Sequence, residues 1–245
     1  MIPGQFHFIH GLKSGDPFTL TDRIAVESAW THNPGWRVRF WSPEIPTGEH
    51  WSRLCKRVPV EWSSVPISDM WNGHFVPKHQ HRADLLRHTL LYALGGMYLD
   101  LDTITLQPVP HEWRTRDMVI GVERRFGEVT GLCNAVFLCA QFSRFQWQWL
   151  KKWQEFDGNG WNEFSVQAPW ELLAQFPQHC LAIERGLLGH DYVEAEKYFS
   201  QEKPLDNVTV AHLWRTANHA RLNALTEDEI DAGKFTYAIH AKRYL

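Results

Sequence analysis

The sequence predicts an α/β protein with a mostly parallel central sheet flanked by helices. Three observations carry that expectation. Residues 5–41 read as strand, helix and strand, the opening of a βαβ unit, which lays its strands parallel. Residues 81–99 repeat the alternation, a long helix closed by glycines and followed at once by a short apolar strand. At 245 residues, with 44% hydrophobic and 22% charged side chains, the chain has the size and balance of one folded domain.

The elements follow in order. QFHFIH (5–10) reads as the first strand. Thr21 or Asp22 can cap a helix through about Thr31, stopped by Asn33-Pro34-Gly35. Trp36 to Trp41 alternates as a second strand. The Pro-rich stretch from Ser42 to Val76 reads as irregular, with one short helix around Glu49 to Lys56; its length suits part of a binding surface. From His81 to Gly96 the pattern is helical. Leu86, Leu90, Ala93 and Leu94 form an apolar stripe, and Gly95-Gly96 are expected to close the helix as a left-handed cap. Asp84, Arg87, His88 and Leu91 share a different face. Met97-Tyr98-Leu99 is a strand, then come Asp100-Leu101-Asp102 and the β-prone TITLQ. Met118–Val122 and Leu132–Ala140 are further strands, and residues 143–156 and 166–176 are helices. No repeat, linker or low-complexity segment interrupts residues 1–245, so a single domain is expected.

Composition excludes some classes. A net charge of −3 gives no broad electrostatic reason to bind nucleic acid or an anionic membrane, although local clusters still can. The N-terminal MIPGQFHFIHGLKSG lacks the pattern of a secretory signal, and no apolar run is long enough for a membrane span. Cys55, Cys133, Cys139 and Cys180 show neither CxxC nor zinc spacing and are expected reduced and buried, which points to the cytoplasm. There is no GxSxG, HExxH or P-loop. The 13 Trp and 14 His suit sugar or base stacking and metal or phosphate sites as well as a core.

Asp100 and Asp102 carry the chemistry. If the segment is extended, residues i and i+2 project to one side, so two carboxylates meet just past a buried strand. Like charges so placed raise each other's pKa unless a cation neutralises them, and Mg²⁺ or Mn²⁺ does so with oxygen ligands while leaving room for phosphate. An isolated Asp-x-Asp is ordinarily a solvated turn. Here it follows a double-Gly helix end with Asp84 and Arg87 on one face, and Asn134 opens a later apolar strand.

The run HRADLLRHTLLYALGGMYLDLDT (81–103) closely resembles the DxD region of glycosyltransferase family 32. IPGQFHFIHG, HNPGWRVRFWS, GLCNAVFLCA and FSVQAPWELLA sit in that family's order. The resemblance implies a GT-A fold and a retaining transferase that moves a hexose from a UDP- or GDP-sugar, usually with Mn²⁺, to a glycan or other hydroxyl. The donor part would lie at about 1–140 and the acceptor side and metal-site closure at about 141–245. It implies that Asp84 and Arg87 hold the donor sugar and its phosphate, and that Asp100 touches ribose and sugar, directly or through the metal. Asp102 would ligate the metal, and Asn134 would lie near the reacting sugar. His212 in the late VAHLW is the expected third ligand, with His240 as the competing imidazole, and Trp214 either covers the donor or packs. His7 and His10 on the first strand are further donor-side candidates; His10 stands where relatives often have Trp. The basic run Lys78, His79, His81 and Arg82 is either a diphosphate contact or a solvated face. Glu123 is a candidate for acceptor activation or a surface ion pair. The alternatives are a transferase acting on a modified base in DNA, which the acidic balance disfavours, and a non-catalytic sugar-nucleotide binder.

Overall fold

A computed structural model describes residues 1–66, 68–202 and 205–245. The chain opens with β1 (Gln5–Ile9), α1 (Leu20–His32), β2 (Arg37–Ser42), α2 (Glu49–Arg57) and β3 (Val60–Ser64). A hairpin of β4 (Met70–Trp71) and β5 (His74–Phe75) leads into α3 (His79–Leu94), β6 (Gly96–Leu99) and β7 (Thr103–Thr105). Next come α4 (His111–Arg114), β8 (Met118–Arg125), β9 (Glu128–Cys139), α5 (Arg144–Trp153) and α6 (Ala168–Gln175). The remainder is β10 (Leu181–Ile183), β11 (Leu187–Leu188), α7 (Lys197–Ser200), β12 (Val210–His212), α8 (Arg215–Ala224), α9 (Glu227–Ala232) and α10 (Thr236–Ala241).

Seven strands form the main sheet in the order β10-β8-β9-β6-β1-β2-β3. Only β9 runs against its neighbours, so the sheet is mostly parallel, as the βαβ opening predicted. Alternation along each strand divides the core between the two faces. Phe6, Phe8, Met97, Leu99, Val136 and Leu138 pack on one face, and Tyr98, Ile120, Phe137 and Cys139 on the other. A small sheet, β11-β12-β7, has β12 antiparallel to β7 with His212 opposite Thr103.

Several expectations need correcting. The first helix begins at Leu20 because Thr19, not Thr21 or Asp22, is its cap. The Thr19 hydroxyl accepts from the Asp22 amide at 3.3 Å, and the Asp22 carboxylate accepts from the Thr19 amide at 2.7 Å, a reciprocal capping box. The stretch from Ser42 to Val76 holds β3, the edge strand of the main sheet, besides the expected short helix. Its VEWSS is half polar because an edge strand needs only one covered face. Cys55 is exposed; the other three cysteines are buried, and all four are free.

Helix α3 buries the face that carries its charged residues. Its buried residues are His81, Asp84, Leu85, Arg87, His88 and Leu91, while Leu86, Leu90 and Leu94 are half-buried and Ala93 is exposed. The polar face is the inner one. Apolar periodicity identified the helix, and Leu86 and Leu90 of its stripe pack partly against the core, but the ion-paired side chains are satisfied deeper inside the protein.

Candidate active site

The site is built where β6 ends. Gly95 and Gly96 let that strand enter between β1 and β9. A Cβ on Gly95 would lie 2.6 Å from the Gln141 nitrogen, and one on Gly96 would lie 2.7 Å from the Gln5 carbonyl oxygen. Both have positive φ, 65° and 113°. Gly95 has ψ −179°, so the helix ends in an extended, glycine-only conformation rather than the expected left-handed cap.

Beyond Leu99 the Asp100 amide donates to Ala135 O at 2.9 Å, and the Thr103 hydroxyl donates back to Asp100 O at 2.7 Å. Asp100-Leu101-Asp102 is therefore a turn, not the extended segment that the i, i+2 argument assumed. The two carboxylates still converge. Strand β12 brings His212 beside them: the Leu213 amide donates to Asp102 O at 2.7 Å, and His212 Nε2 lies 3.2 Å from Asp102 Oδ2. One donor atom each from Asp100, Asp102 and His212 fall within 4.8 Å of one another. The set is two hard oxygens and an imidazole, a combination that suits a divalent cation of the Mn²⁺ type.

Arg87 stands behind Asp100. Its Nη2 is 3.2 Å from Asp100 Oδ1 and 3.5 Å from Asp84 Oδ1, and its Nη1 donates to Asn134 O at 2.9 Å. Asn134 Nδ2 donates to Asp84 Oδ1 at 2.8 Å, and the Tyr98 hydroxyl donates to Asp100 Oδ1 at 2.6 Å. The guanidinium lies over the Tyr98 ring, 4.3 Å from its centre. The side chains of Asp84, Arg87, Tyr98, Asp100 and Asn134 are thus all engaged, as burial requires.

The electrostatics push the two carboxylates apart. Burial, opposed by Arg87 but reinforced by the charge of Asp102, raises the Asp100 pKa. Burial also acts on Asp102, but the His212 imidazole and then Arg215 overcome it and hold the carboxyl well below the usual range. Burial alone would lower His212; Asp102 outweighs it and raises that pKa. Arg87 is kept charged because Asp100 and Asp84 more than offset its desolvation. Paired groups with divergent pKa values are what a charge-handling site shows.

These residues open onto a cleft of about 560 Å³ lined by, among others, His10, Lys13, Arg87, Asp100, Asp102 and His212. Trp214 and Arg215 also line it. Asp84 and Asn134 are buried behind the wall rather than in it. His7 is fully buried outside the cleft; its Nε2 donates to Gly95 O at 2.9 Å and its Nδ1 accepts from Trp41 Nε1 at 3.1 Å. His240 lies on α10, where its Nε2 accepts from the Leu205 amide at 3.1 Å. The basic run splays apart. His79 lines the cleft, Lys78 lies 5.1 Å from the Trp161 ring centre, Arg82 donates to Val76 O, and His81 is buried against Phe156. Glu123 is half-buried, accepts from the Thr130 hydroxyl at 3.2 Å, and has a pKa raised by burial.

Arg215 was missed by sequence reasoning. Its backbone amide donates to Asp102 Oδ2 and its guanidinium to Asp22 Oδ1, each at 2.5 Å, so it ties the Asp-x-Asp turn to the cap of α1. The one available signal was its position directly after the His-x-Trp triplet.

The fold is of the GT-A glycosyltransferase type. Residues 21–125 match the family described as "Glycosyltransferase sugar-binding region containing DXD motif", so the resemblance carried by residues 81–103 is borne out over a longer span. Glucan organizing enzyme 1 of Cryptococcus neoformans is 28% identical over 189 residues, 72% of this chain and 51% of that protein. The initiation-specific alpha-1,6-mannosyltransferase of Candida albicans is 37% identical over 96 residues, 38% of this chain and 25% of that protein. The matches thus span about half and a quarter of those relatives' length. Among solved structures, the glycosyltransferase GlyE of Streptococcus pneumoniae has the same fold, with a TM-score of 0.55 at 14% identity, covering 100% of this chain and 60% of that one.

Proposed function

We propose that the chain is a metal-dependent retaining hexosyltransferase that takes a UDP- or GDP-sugar as donor and a glycan hydroxyl as acceptor. The observation that carries this reading is the convergence of Asp100, Asp102 and His212 at the wall of a cleft large enough for a nucleotide-sugar. The three donors fit Mn²⁺ or Mg²⁺, and such an ion when bound neutralises a departing diphosphate. Around it the chain's own side chains do the rest.

Arg87 presents a fixed, permanently charged fork to the donor phosphate or sugar, held by Asp84, Asp100 and Asn134. Asp84 and Asn134 act from behind as positioning residues. Arg215 and Lys13 add positive charge to the walls where the diphosphate would lie. Trp214 covers one side of His212, with ring centres 4.2 Å apart, and excludes water from that edge. His10 offers a ring at the other side of the cleft. The retaining outcome rests on the family resemblance, and the choice of hexose is left to the test.

That test is a donor screen of UDP- and GDP-sugars with and without Mn²⁺, read as donor hydrolysis and as thermal shift. We expect hydrolysis and stabilisation with one nucleotide class, both abolished by EDTA. Turnover undiminished in excess EDTA would overturn the metal assignment, and no response to any nucleotide-sugar would overturn the donor assignment.

A further inference from the structure

We infer that the outer face shared by α3 and α5 is a docking surface for an anionic lipid bilayer. Three aromatic rings gather there. Phe142 is 63% exposed and Trp147 is 45% exposed. The half-buried Tyr92 stacks on Trp147 at 5.5 Å and meets Phe142 edge-on, also at 5.5 Å. The backbone holds this arrangement deliberately. Phe142 has φ +57°, a left-handed conformation unusual for a bulky residue, and its amide donates to Tyr92 O at 2.8 Å just before Ser143 caps α5. A strained residue that projects an apolar ring into solvent gains nothing for the fold by doing so.

The surroundings state what the rings meet. On α5, the exposed Arg144, Trp147 and Lys151 lie at i, i+3 and i+7, one face of the helix. Residues 85–99 and 141–153 contain no Asp or Glu at all, in a chain whose net charge is −3. The neighbouring acids are engaged: Asp117 accepts from Ser143, Arg144 and Phe145, and Glu155 pairs with Lys152 at 3.4 Å. Amphipathic rings flanked by the exposed cations Arg144 and Lys151 match the headgroup region of an anionic leaflet, where the rings enter the interface and the cations meet lipid phosphate.

Docking there leaves the cleft open. His79, Gln80 and Ala83 line the cleft from the first turns of α3, and Tyr92 stands nine residues past Ala83, ~14 Å along the helix axis.

The experiment is cosedimentation of the full chain with phosphatidylcholine vesicles, with and without phosphatidylglycerol, at low and high salt. Binding should require phosphatidylglycerol and weaken with salt. The pair Arg144→Glu and Lys151→Glu, at exposed positions, should weaken it at least about tenfold with unchanged melting. Trp147→Ala should weaken it independently of salt. Failure of the wild type to bind phosphatidylglycerol vesicles, or equal binding by the variants, overturns the inference. So does concentration-dependent dimerisation in buffer that Trp147→Ala abolishes, because the face would then be a self-association surface.

Discussion

At the residue scale, the site works by assigning different charge states to neighbouring groups. Asp102 is held ionised by His212 and Arg215, and Asp100 is pushed up by burial and by Asp102 itself. Asp102→Asn keeps the shape and removes the charge, so it should abolish Mn²⁺-dependent stabilisation and lower turnover by about 10²–10³ or more, the range lost with one preorganised charge contact. Melting without metal should also fall, because His212 and Arg215 lose the buried charge they pair with. The metal role is therefore read from the Mn²⁺ shift relative to the variant's own metal-free melting, and a shift equal to that of the wild type would remove Asp102 from the metal site. His212→Ala should weaken Mn²⁺ affinity, read by titrating the thermal shift, and an unchanged titration would hand that role to another side chain. Arg87→Lys tests geometry at constant charge. A lysine cannot contact Asp100, Asp84 and Asn134 O together, so donor hydrolysis should fall by at least tenfold while the net charge stays fixed. The Asp-x-Asp carboxylates and the Asp84–Arg87 face were legible from residue type and spacing, and His212 through the resemblance of VAHLW to the family's late His-x-Trp feature. Arg215 stayed hidden, since its link to Asp102 runs through a backbone amide, which no side-chain pattern reveals.

At the scale of elements, β6 is the part on which the site depends, and it needs glycines at its entrance. Gly96→Ala places a Cβ at 2.7 Å from Gln5 at a positive φ, and should destabilise by about 3 kcal/mol or more from overpacking and backbone strain together. Gly15→Ala is the control. It also has positive φ, 80°, but nothing lies within 4 Å, so it should show only the backbone strain of about 1–2 kcal/mol. Urea midpoints of the two variants separate the effects, and equal losses would refute the close-approach argument. Elements also show where sequence reading stops. The glycine pair marked the end of α3, but its crowding by Gln5 of β1 and by Gln141 in the turn after β9 comes from segments distant in sequence. The depth of the charged face of α3 was not legible for a related reason. Its charged face is inside because Asn134 of β9 and Asp100 after β6 satisfy it, and periodicity carries no information about such partners. Strand β3 was lost to its half-polar pattern, and it became a strand through pairing with β2.

At the scale of the whole molecule, two imidazoles are buried neutral on the interior side of the sheet, and they set a limit on acid stability. His7 has its Nδ1 accepting from Trp41 and its Nε2 donating to Gly95 O, which is satisfied only in the neutral form, and burial lowers its pKa to about 4. His88 is fully buried with its ring centre 4.1 Å from that of Trp149, and burial lowers its pKa to about 3. Protonating either would place a second N–H against a donor or an apolar ring. The sign follows from linkage. Below an unfolded pKa near 6.5 the unfolded chain binds protons that the folded chain refuses, so stability is full above that value and falls as pH drops toward the folded values. His212 acts in the opposite sense, because its raised pKa stabilises the folded chain on acidification, and it offsets part of the loss. Between pH 7 and 5 the two buried imidazoles should together remove on the order of 4 kcal/mol, from roughly 1.4 kcal/mol per pH unit below 6.5 for each. The measurement is the urea midpoint at both pH values for the wild type, His7→Gln and His88→Gln. Each variant removes one titrating group, so each should lose less stability than the wild type over that interval, whatever its stability at pH 7. A wild-type midpoint independent of pH, or variants that fall as steeply as the wild type, would show that these two rings do not control the acid limit.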